Sequence, residues 1–345
     1  MVLSTLAGNL RVADGRPAAA SLSHRRAPPH PAVGIPKESL LKEFRIPSRA
    51  AGVGLLLVLL ASCAPHAAPR KAQAPRPPSP LFSLTMSDLQ TMVASMPAAI
   101  GQAILAQPSR FLSEVAAILR EPSIYLVLVD KQHALSADYV PEDLVNLKAA
   151  GLSVSRADLE LRKSVMPEVL AMVGKAQEDH VLLLFTSTYR SYAYQKWVYD
   201  REVRLYGKKV ADSESAVPGT SQHQLGDTID FGCICNRFAS TDAYTWLTDH
   251  ARQYGFSMTY PQGLEAVTGY RYEPWHWHYI TTAGTTAQRD FFDDIQQYLL
   301  VFLHENRTQL VTHFLGKDLG RGWAEPEPVD KISRIPENPG QGKKG

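Results

Sequence analysis

The sequence lacks a charge imbalance. Its 345 residues include 36 Lys and Arg against 34 Asp and Glu, which leaves a formal net charge of +2. A strongly basic surface is the electrostatic mark of nucleic-acid binding, and zinc-knuckle, helix-turn-helix and P-loop patterns are also missing, as are internal repeats. These absences give no support for a nucleic acid partner. The 45% of hydrophobic residues predicts a sizeable buried core in a chain long enough for two domains.

The sequence also lacks an apolar run long enough to cross a membrane as a stable helix. The short run at residues 50–60 follows Arg45 and Arg49 and leads into the motif LASC at residues 60–63. A positive flank, a short apolar core and small residues before a cleavage point are typical of an export signal. Because the basic segment of such a signal is seldom this long, we do not expect Met1 to be the true start.

The LASC motif resembles a bacterial lipobox, which would make Cys63 the lipidated first residue of the mature protein. An ordinary signal peptide and a buried helix are the alternatives. We predict an export signal over 1–62 and an exported bacterial lipoprotein, anchored in a membrane through Cys63 and facing the periplasm or cell wall. Residues 63–80 are Pro-rich and basic, which favours an extended tether.

Helical periodicity begins after the tether. In residues 81–120 the apolar positions recur at helical spacing, with Pro97 and Pro108 as breaks. We predict two or three helices here, packed on a domain at 121–284. A C-terminal helix is expected within 285–316, over residues 288–304. The polar, Pro- and Gly-containing segment 317–345 is expected to be a disordered tail.

The domain at 121–284 mixes strand and helix patterns. The expected strands are residues 124–129, 181–186 and 256–260, the expected helices are residues 157–176, 192–206 and 241–254, and a mobile loop is expected at 207–220. Ser191 is placed as the N-cap of the second of these helices.

One stretch, PGTSQHQLGDTIDF at residues 218–231, organises the chemistry. It predicts a loop that carries His223, a turn at Gly226 and a short β-prone strand that brings Asp230 back to the same point. A second cluster at residues 273–280 alternates aromatic and imidazole side chains. Because residues two apart share a face of a strand, we expect His276 and His278 to point one way and the intervening tryptophans to enter the core.

Catalytic zinc needs three protein ligands and one open position. His223, Asp230 and His276 supply that number of ligands. A zinc peptidase also needs a base that takes the proton of the attacking water without binding the metal. Glu273 stands just before Pro274, which marks the start of the strand, and is the candidate. The sequence therefore predicts a catalytic zinc site.

The two motifs resemble the paired signature of VanY-type D-alanyl-D-alanine carboxypeptidases. The matching patterns are Ser-x-His-x-x-Gly-x-Thr-x-Asp at 221–230 and Glu-x-Trp-His at 273–276, together with the blocks YLVLV at 125–129, YVPEDL at 139–144 and STYRSY at 187–192. The resemblance spans about residues 124 to 282. It implies the hedgehog/DD-peptidase fold: an α+β domain with a small, mostly antiparallel sheet, flanking helices and zinc in a cleft at the sheet.

The resemblance also implies roles for further residues. Arg190 would stabilise the oxyanion that develops on the scissile carbonyl, the alternative being a surface arginine. Gln195 and Ser221 would contact substrate, unless they are an exposed helix residue and a loop cap. The family often has Arg where this chain has His278, so His278 could alter substrate contacts. Asp227, usually a small or apolar position, is expected to put an extra acid beside the site.

Cys233 and Cys235 follow the Asp230 strand immediately. We expect two structural cysteines, reduced or bridged, and not a second metal site, because no further Cys or His has ligand spacing to them.

The leading functional hypothesis is a zinc D,D-carboxypeptidase that removes the terminal D-Ala of peptidoglycan stem peptides. An L,D-carboxypeptidase or a cross-link endopeptidase on the same site remains an alternative within the enzyme class. A non-catalytic cell-wall-binding lipoprotein is the alternative outside it, although pure binding would not need Glu273.

Overall fold

The computed structural model describes residues 77–331. The predicted export signal, the lipidation site Cys63 and the tether up to residue 76 lie outside the described residues, as does the chain beyond 331. No helix within the described range is both long and apolar enough to span a membrane.

The described chain alternates short strands with helices. The helices are α1 Met86–Met92, α2 Ala98–Ala106, α3 Pro108–Ile118, α4 Met166–Glu178, α5 Tyr192–Tyr206, α6 Lys208–Glu214, α7 Asp242–His250, α8 Glu265–Thr268, α9 Thr281–Phe291 and α10 Gln296–His313. The strands are β1 His133–Leu135, β2 Leu144–Asn146, β3 Glu160–Arg162, β4 Phe185–Ser187, β5 Thr228–Phe231, β6 Phe256–Met258, β7 His276–Tyr279 and β8 Val329–Lys331.

A four-stranded antiparallel sheet in the order β4-β5-β7-β6 lies at the centre. The register pairs Asp230 with His276 and Thr228 with His278. Two smaller antiparallel pairs, β1 with β8 and β2 with β3, lie outside this sheet. The predicted α+β class with a small antiparallel sheet and flanking helices is confirmed.

Two hydrophobic cores support this sheet. In one, Trp275 and Trp277 pack with the apolar side chains of α4 and α7, as the alternation in β7 predicted. In the other, α1, α2 and α3 pack on α9 and α10, and the ring of Phe111 meets the rings of Phe291 and Phe302 edge-on at 5.2 and 5.4 Å between centroids. Pro97 and Pro108 stand at the starts of α2 and α3, where breaks were predicted.

The predicted strand at 124–129 is wrong. Residues Ser123–Tyr125 form a 3₁₀ turn, and the following chain is buried but has no strand partner among the described residues. Leu126 and Leu128 enter the helical core, while Val127 and Val129 enter a small cluster with Leu135. Alternate burial between two cores produces the same apolar run as a strand inside a sheet.

Two predicted helices have different bounds. The helix expected from residue 157 begins at Met166, because Glu160–Arg162 pairs with β2 as a strand. The helix expected over 288–304 is two helices, α9 and α10, separated by a turn in which Asp293 and Asp294 adopt positive φ. Apolar side chains continue at helical spacing through that turn, so periodicity alone did not reveal it.

Two segments expected to lack structure are ordered. The predicted loop at 207–220 contains α6. The segment from 317 to 331, expected to be disordered, returns to the domain. The indole of Trp323 is 2% exposed and donates to the carbonyl of Glu121, and β8 pairs with β1. The second apolar strand is shorter than predicted and is displaced to Phe185–Ser187.

Candidate active site

The three predicted metal ligands come from three neighbouring elements. Asp230 and His276 are opposite each other on β5 and β7, and His223 lies on the 3₁₀ turn Gln222–Leu225 that leads into β5. Gly226 ends that turn with φ of +80°, and a Cβ there would lie 2.9 Å from Cγ of Pro141. Only glycine suits both the dihedral angle and the space, so this residue lets the chain reverse and bring His223 over the sheet.

The ligand atoms of these residues converge. His223 Nε2 is 3.2 Å from Asp230 Oδ2, His276 Nδ1 is 3.2 Å from Asp230 Oδ1, and the three ligand atoms lie within 4.8 Å of one another. Each side chain is at most 5% exposed. The structure therefore assembles the predicted set at one buried point.

Hydrogen bonds on the far side of each imidazole determine which nitrogen is free. His223 Nδ1 donates to the carbonyl of Thr188 at 2.8 Å, which leaves Nε2 with its lone pair. His276 Nε2 donates to Oε1 of Gln222 at 3.1 Å, which leaves Nδ1 free. Both lone pairs face Asp230. Fixing the ligating nitrogen through a bond at the other one is how proteins prepare histidine ligands for a metal.

The chemistry of this donor set fits a divalent cation. Burial lowers the pKa of His276 to about 4, so at neutral pH its ring is neutral. Burial disfavours the charged form of Asp230, but the neighbouring rings of His223 and His276 outweigh this effect and hold its pKa well below the ordinary value. Asp230 Oδ1 makes no hydrogen bond within the described residues. Acceptor atoms that face one another at this distance are stabilised by a cation between them.

Glu273 lies beside the ligands. Its Oε2 is 3.8 Å from His276 Nδ1, and its backbone NH donates to the carbonyl of Tyr260, which holds the turn before β7. Burial, followed by the charge of Asp230, raises the pKa of Glu273 to about 8, against the opposing effect of Arg271 and Arg190. A carboxyl group in this range can both accept and return a proton near neutral pH.

Arg190 is held rigidly at the edge of the site. It follows β4, its Nη2 is 4.0 Å from Asp230 Oδ2, and it lines the pocket. Nη1 donates to Oε1 of Gln195 at 2.8 Å and Nη2 donates to Oγ of Ser187 at 2.9 Å. A guanidinium fixed in this way can present its remaining N–H groups to a developing negative charge.

The structure gives Gln195 a position other than the predicted substrate contact. Gln195 is fully buried and does not line the pocket. Its amide binds Arg190 on one side and donates to the carbonyl of Ala216 at 2.6 Å on the other. It therefore contacts the arginine, not the cavity. Ser221 does line the pocket, as expected of a substrate contact.

The structure does not bring His278 or Asp227 to the pocket either. His278 is fully buried, with Nδ1 3.1 Å from Oε1 of Gln296 and Nε2 3.2 Å from Oδ1 of Asp227. Asp227 is also fully buried and, contrary to the prediction, does not line the pocket. His278 faces Gln296 at the start of α10, and Asp227 faces His278. The expected effect of His278 on substrate is therefore not supported.

The cavity in front of the ligands has a volume of about 370 Å³. Its walls include residues that the sequence did not single out. Among them are two tyrosines and three arginines, namely Tyr260, Tyr270, Arg156, Arg201 and Arg271. Only Tyr270 and Arg271, which lie close to Glu273 in the sequence, carried a signal that could have found them. Gln222 was also missed, although it stands next to His223 and binds the other histidine.

Comparison with known proteins identifies the family. The family profile VanY, D-alanyl-D-alanine carboxypeptidase, matches residues 158–282. Carboxypeptidase YodJ of Bacillus subtilis (strain 168) is 33% identical over 187 residues, which cover 52% of this chain and 68% of that protein. This chain belongs to the VanY family. The predicted membership of the VanY family is thereby confirmed, as is the predicted enzyme class, a hydrolase of the D-alanyl-D-alanine carboxypeptidase type.

Further relatives and solved structures are also similar to this chain. A D-alanyl-D-alanine carboxypeptidase of Enterococcus faecalis (strain ATCC 700802 / V583) is 29% identical over 170 residues, 47% of this chain and 60% of that protein. Among solved structures, the LdcB LD-carboxypeptidase is 33% identical, with a TM-score of 0.46 over 50% of this chain and 84% of that chain. A point mutant of the vancomycin resistance D,D-pentapeptidase VanY in complex with Zn(II) is 26% identical, with a TM-score of 0.43 over 52% of this chain and 99% of that chain.

The structure determines the state of the two cysteines. Cys233 and Cys235 form a disulfide just after β5. This is one of the two structural states that the sequence left open.

Proposed function

We propose that this protein is a zinc-dependent D,D-carboxypeptidase that removes the terminal D-Ala from peptidoglycan stem peptides. One observation carries the proposal: in a VanY-family chain, His223 Nε2, Asp230 and His276 Nδ1 converge at the base of a pocket with the carboxyl group of Glu273 beside them. A structural metal site has no need of a protonatable group that is not a ligand.

The ligand set supports zinc as the metal. Two imidazole nitrogens and one carboxylate leave a position open, which is the pattern of catalytic and not structural zinc. When bound there, zinc would act as a Lewis acid on the scissile carbonyl and make a water acidic enough to ionise near pH 7. The relative described above, a VanY mutant, was solved in complex with Zn(II).

Glu273 carries the proton in this proposal. It accepts a proton from the water that attacks the carbonyl carbon and then returns it to the amine of the departing D-Ala. At 12% side-chain exposure, this carboxyl group has limited contact with bulk water. Glu273 lines the same pocket as Arg190 and His276, which supports its role toward both the attacking and the departing atoms.

Arg190 stabilises the negative charge that develops on the carbonyl oxygen. Since Gln195 and Ser187 hold two of its nitrogens, it does not need to reorganise when that charge forms. One well-placed donor of this type contributes about 2.7–4 kcal/mol to transition-state stabilisation. The other arginines of the pocket wall, Arg156, Arg201 and Arg271, give it cationic groups for the terminal carboxylate of a peptide.

The decisive experiment is mass spectrometry of products. The purified full chain is incubated separately with a stem pentapeptide, the tetrapeptide and a cross-linked peptide dimer, each with and without chelator. Loss of one D-Ala from the pentapeptide only, abolished by chelator, is the expected result. Cleavage of the tetrapeptide instead would establish an L,D-carboxypeptidase, and cleavage of a cross-linked dimer an endopeptidase. Metal binding without any hydrolysis would refute the carboxypeptidase and favour a non-catalytic cell-wall-binding protein.

We further propose that the protein is exported and held at a membrane by a lipid on Cys63. The support is the arrangement of basic residues, a short apolar run and the LASC motif at residues 60–63. In cell fractionation, the chain should sediment with membranes and incorporate labelled fatty acid, and Cys63→Ala should abolish both. Membrane association and labelling that survive this substitution would refute the anchor.

A further inference from the structure

A chain of buried polar side chains connects the metal site to α10. The first link is the bond from His276 Nε2 to Oε1 of Gln222. The second runs from Nε2 of Gln222 to Oε1 of Gln296 at 3.3 Å. The hydroxyl of Thr259 also donates to Oε1 of Gln222, at 2.9 Å. Gln222, Thr259 and Gln296 are at most 2% exposed, so within the protein interior these bonds have little competition from water.

Gln296 does not belong to the segment that the family profile matches. That segment ends at residue 282, and Gln296 is the first residue of α10. Leu299, Leu300 and Leu303 anchor the same helix in the second hydrophobic core. The position of the Gln296 amide is therefore set by packing far from the site. Oε1 of this amide also lies 3.1 Å from His278 Nδ1, so His278 restrains it from a second direction.

The orientation of the Gln222 amide matters because its two ends have opposite hydrogen-bonding roles. With Oε1 toward His276, the ring must carry its proton on Nε2, and Nδ1 is free to bind a metal. With the amide reversed, an N–H₂ group would face the ring and favour a proton on Nδ1, which removes the ligand. Gln296 supplies an acceptor for the Gln222 N–H₂ group, and Thr259 supplies a donor to its oxygen. Both favour the first orientation.

We propose that Gln296 is a positioning residue of the metal site: it orients Gln222, which in turn fixes the tautomer of His276. The inference rests on the metal-dependent function proposed above. It means that α10, outside the family-matched segment, completes the catalytic centre. Bonds of this indirect kind typically change metal affinity by about 10–100-fold when they are removed.

The test compares zinc affinity in three variants of the full chain, measured by competition with a chromophoric chelator. Gln296→Met and Gln222→Met remove the amides at nearly constant volume. Gln297→Met is the matched control. Gln297 is the next residue of α10, is 8% exposed and donates to Asp130 Oδ2 at 2.8 Å, so it takes no part in the hydrogen bonds that connect Gln296 to His276. Thermal unfolding of each apo-protein measures the structural cost separately.

The expected result is a loss of zinc affinity of about 10-fold or more in Gln296→Met and Gln222→Met, with wild-type affinity in Gln297→Met. The double variant of Gln222 and Gln296 should bind zinc no more weakly than the single variant with the lower affinity, because both residues act through the same hydrogen bond to His276. Gln222→Glu keeps an acceptor oxygen and should retain most of the affinity, which a merely structural role would not predict.

Equal zinc affinity in Gln296→Met and Gln297→Met would overturn the inference. Should Gln296→Met fail to fold, the Gln222 variants decide: unchanged affinity in Gln222→Met would also overturn it. The failure of the proposed carboxypeptidase function can be distinguished from the failure of the proposed positioning role of Gln296. A wild-type protein that binds zinc but cleaves no peptide would refute the carboxypeptidase and leave the positioning role intact, because affinity is measured without substrate.

Discussion

Asp230 and His276 face each other across the centre of the sheet, with Asp230 Oδ1 3.2 Å from His276 Nδ1. Two adjacent strands hold these atoms, so their separation is fixed by backbone hydrogen bonds and not by flexible loops. A carboxylate and an imidazole lone pair at this distance form two sides of a metal site before any metal arrives. The arrangement limits the ordering cost of binding.

Removing the charge of Asp230 should therefore abolish metal binding with little loss of fold. Asp230→Asn keeps the shape of the side chain but replaces an anionic ligand by a neutral amide, and the amide nitrogen has no lone pair to offer. We expect zinc content near zero and no peptidase activity above background, with the circular dichroism spectrum unchanged. Stoichiometric zinc in this variant would contradict the assignment of Asp230 as a ligand.

Changing Glu273 should separate metal binding from catalysis. Glu273→Ala removes the proton carrier but no ligand, so zinc content should stay at the wild-type level. Loss of general acid–base catalysis should lower kcat by about 10²–10⁴-fold. Metal analysis and turnover of the pentapeptide are measured on the same sample. Turnover within a few-fold of wild type would contradict the assignment of Glu273 as the general base.

Arg190 and Gln195 should differ in the size of their effects. Arg190→Met removes the proposed oxyanion donor and should lower kcat by about 10²–10³-fold. Gln195→Met leaves the guanidinium of Arg190 in place but removes the acceptor that holds its Nη1. It should therefore also lower kcat and leave KM unchanged, but by a smaller factor than Arg190→Met. A rise in KM alone for Gln195→Met would instead indicate direct contact with substrate.

The metal ligands could be predicted from the sequence because each motif contains its own geometry. In the first, Gly226 forces the reversal between His223 and Asp230, and in the second the strand alternation separates His276 from the tryptophans. Local dihedral preferences and side-chain period are short-range properties, so they survive without knowledge of the rest of the chain. The α+β class was implied by the resemblance to the VanY family, in agreement with the mixture of strand and helix patterns at 121–284.

The surroundings of those ligands could not be predicted in this way. His278 shares a strand face with His276, but whether that face meets solvent or a helix depends on α10, which lies outside the family-matched segment. The burial of Gln195 likewise depends on where Ala216 lies, more than twenty residues later. Ile124 to Val129 is apolar because it separates two cores, a property of tertiary packing that no local pattern encodes.

Gly226 and Gly263 offer a test of how the turn positions His223. Both have φ near +80°, but a Cβ at Gly263 would meet nothing within 4 Å, whereas one at Gly226 would meet Pro141 and Arg162. Gly263→Ala should cost about 1–2 kcal/mol for the left-handed conformation alone. Gly226→Ala should lower the free energy of unfolding by about 1–3 kcal/mol more, because its Cβ overpacks the neighbouring side chains. It should also weaken zinc binding, because relief of the clash moves His223. Denaturant unfolding of the apo-proteins gives the energies. Equal losses of stability in the two variants, with zinc affinity unchanged in both, would show that the turn tolerates a side chain and that His223 is positioned by other contacts.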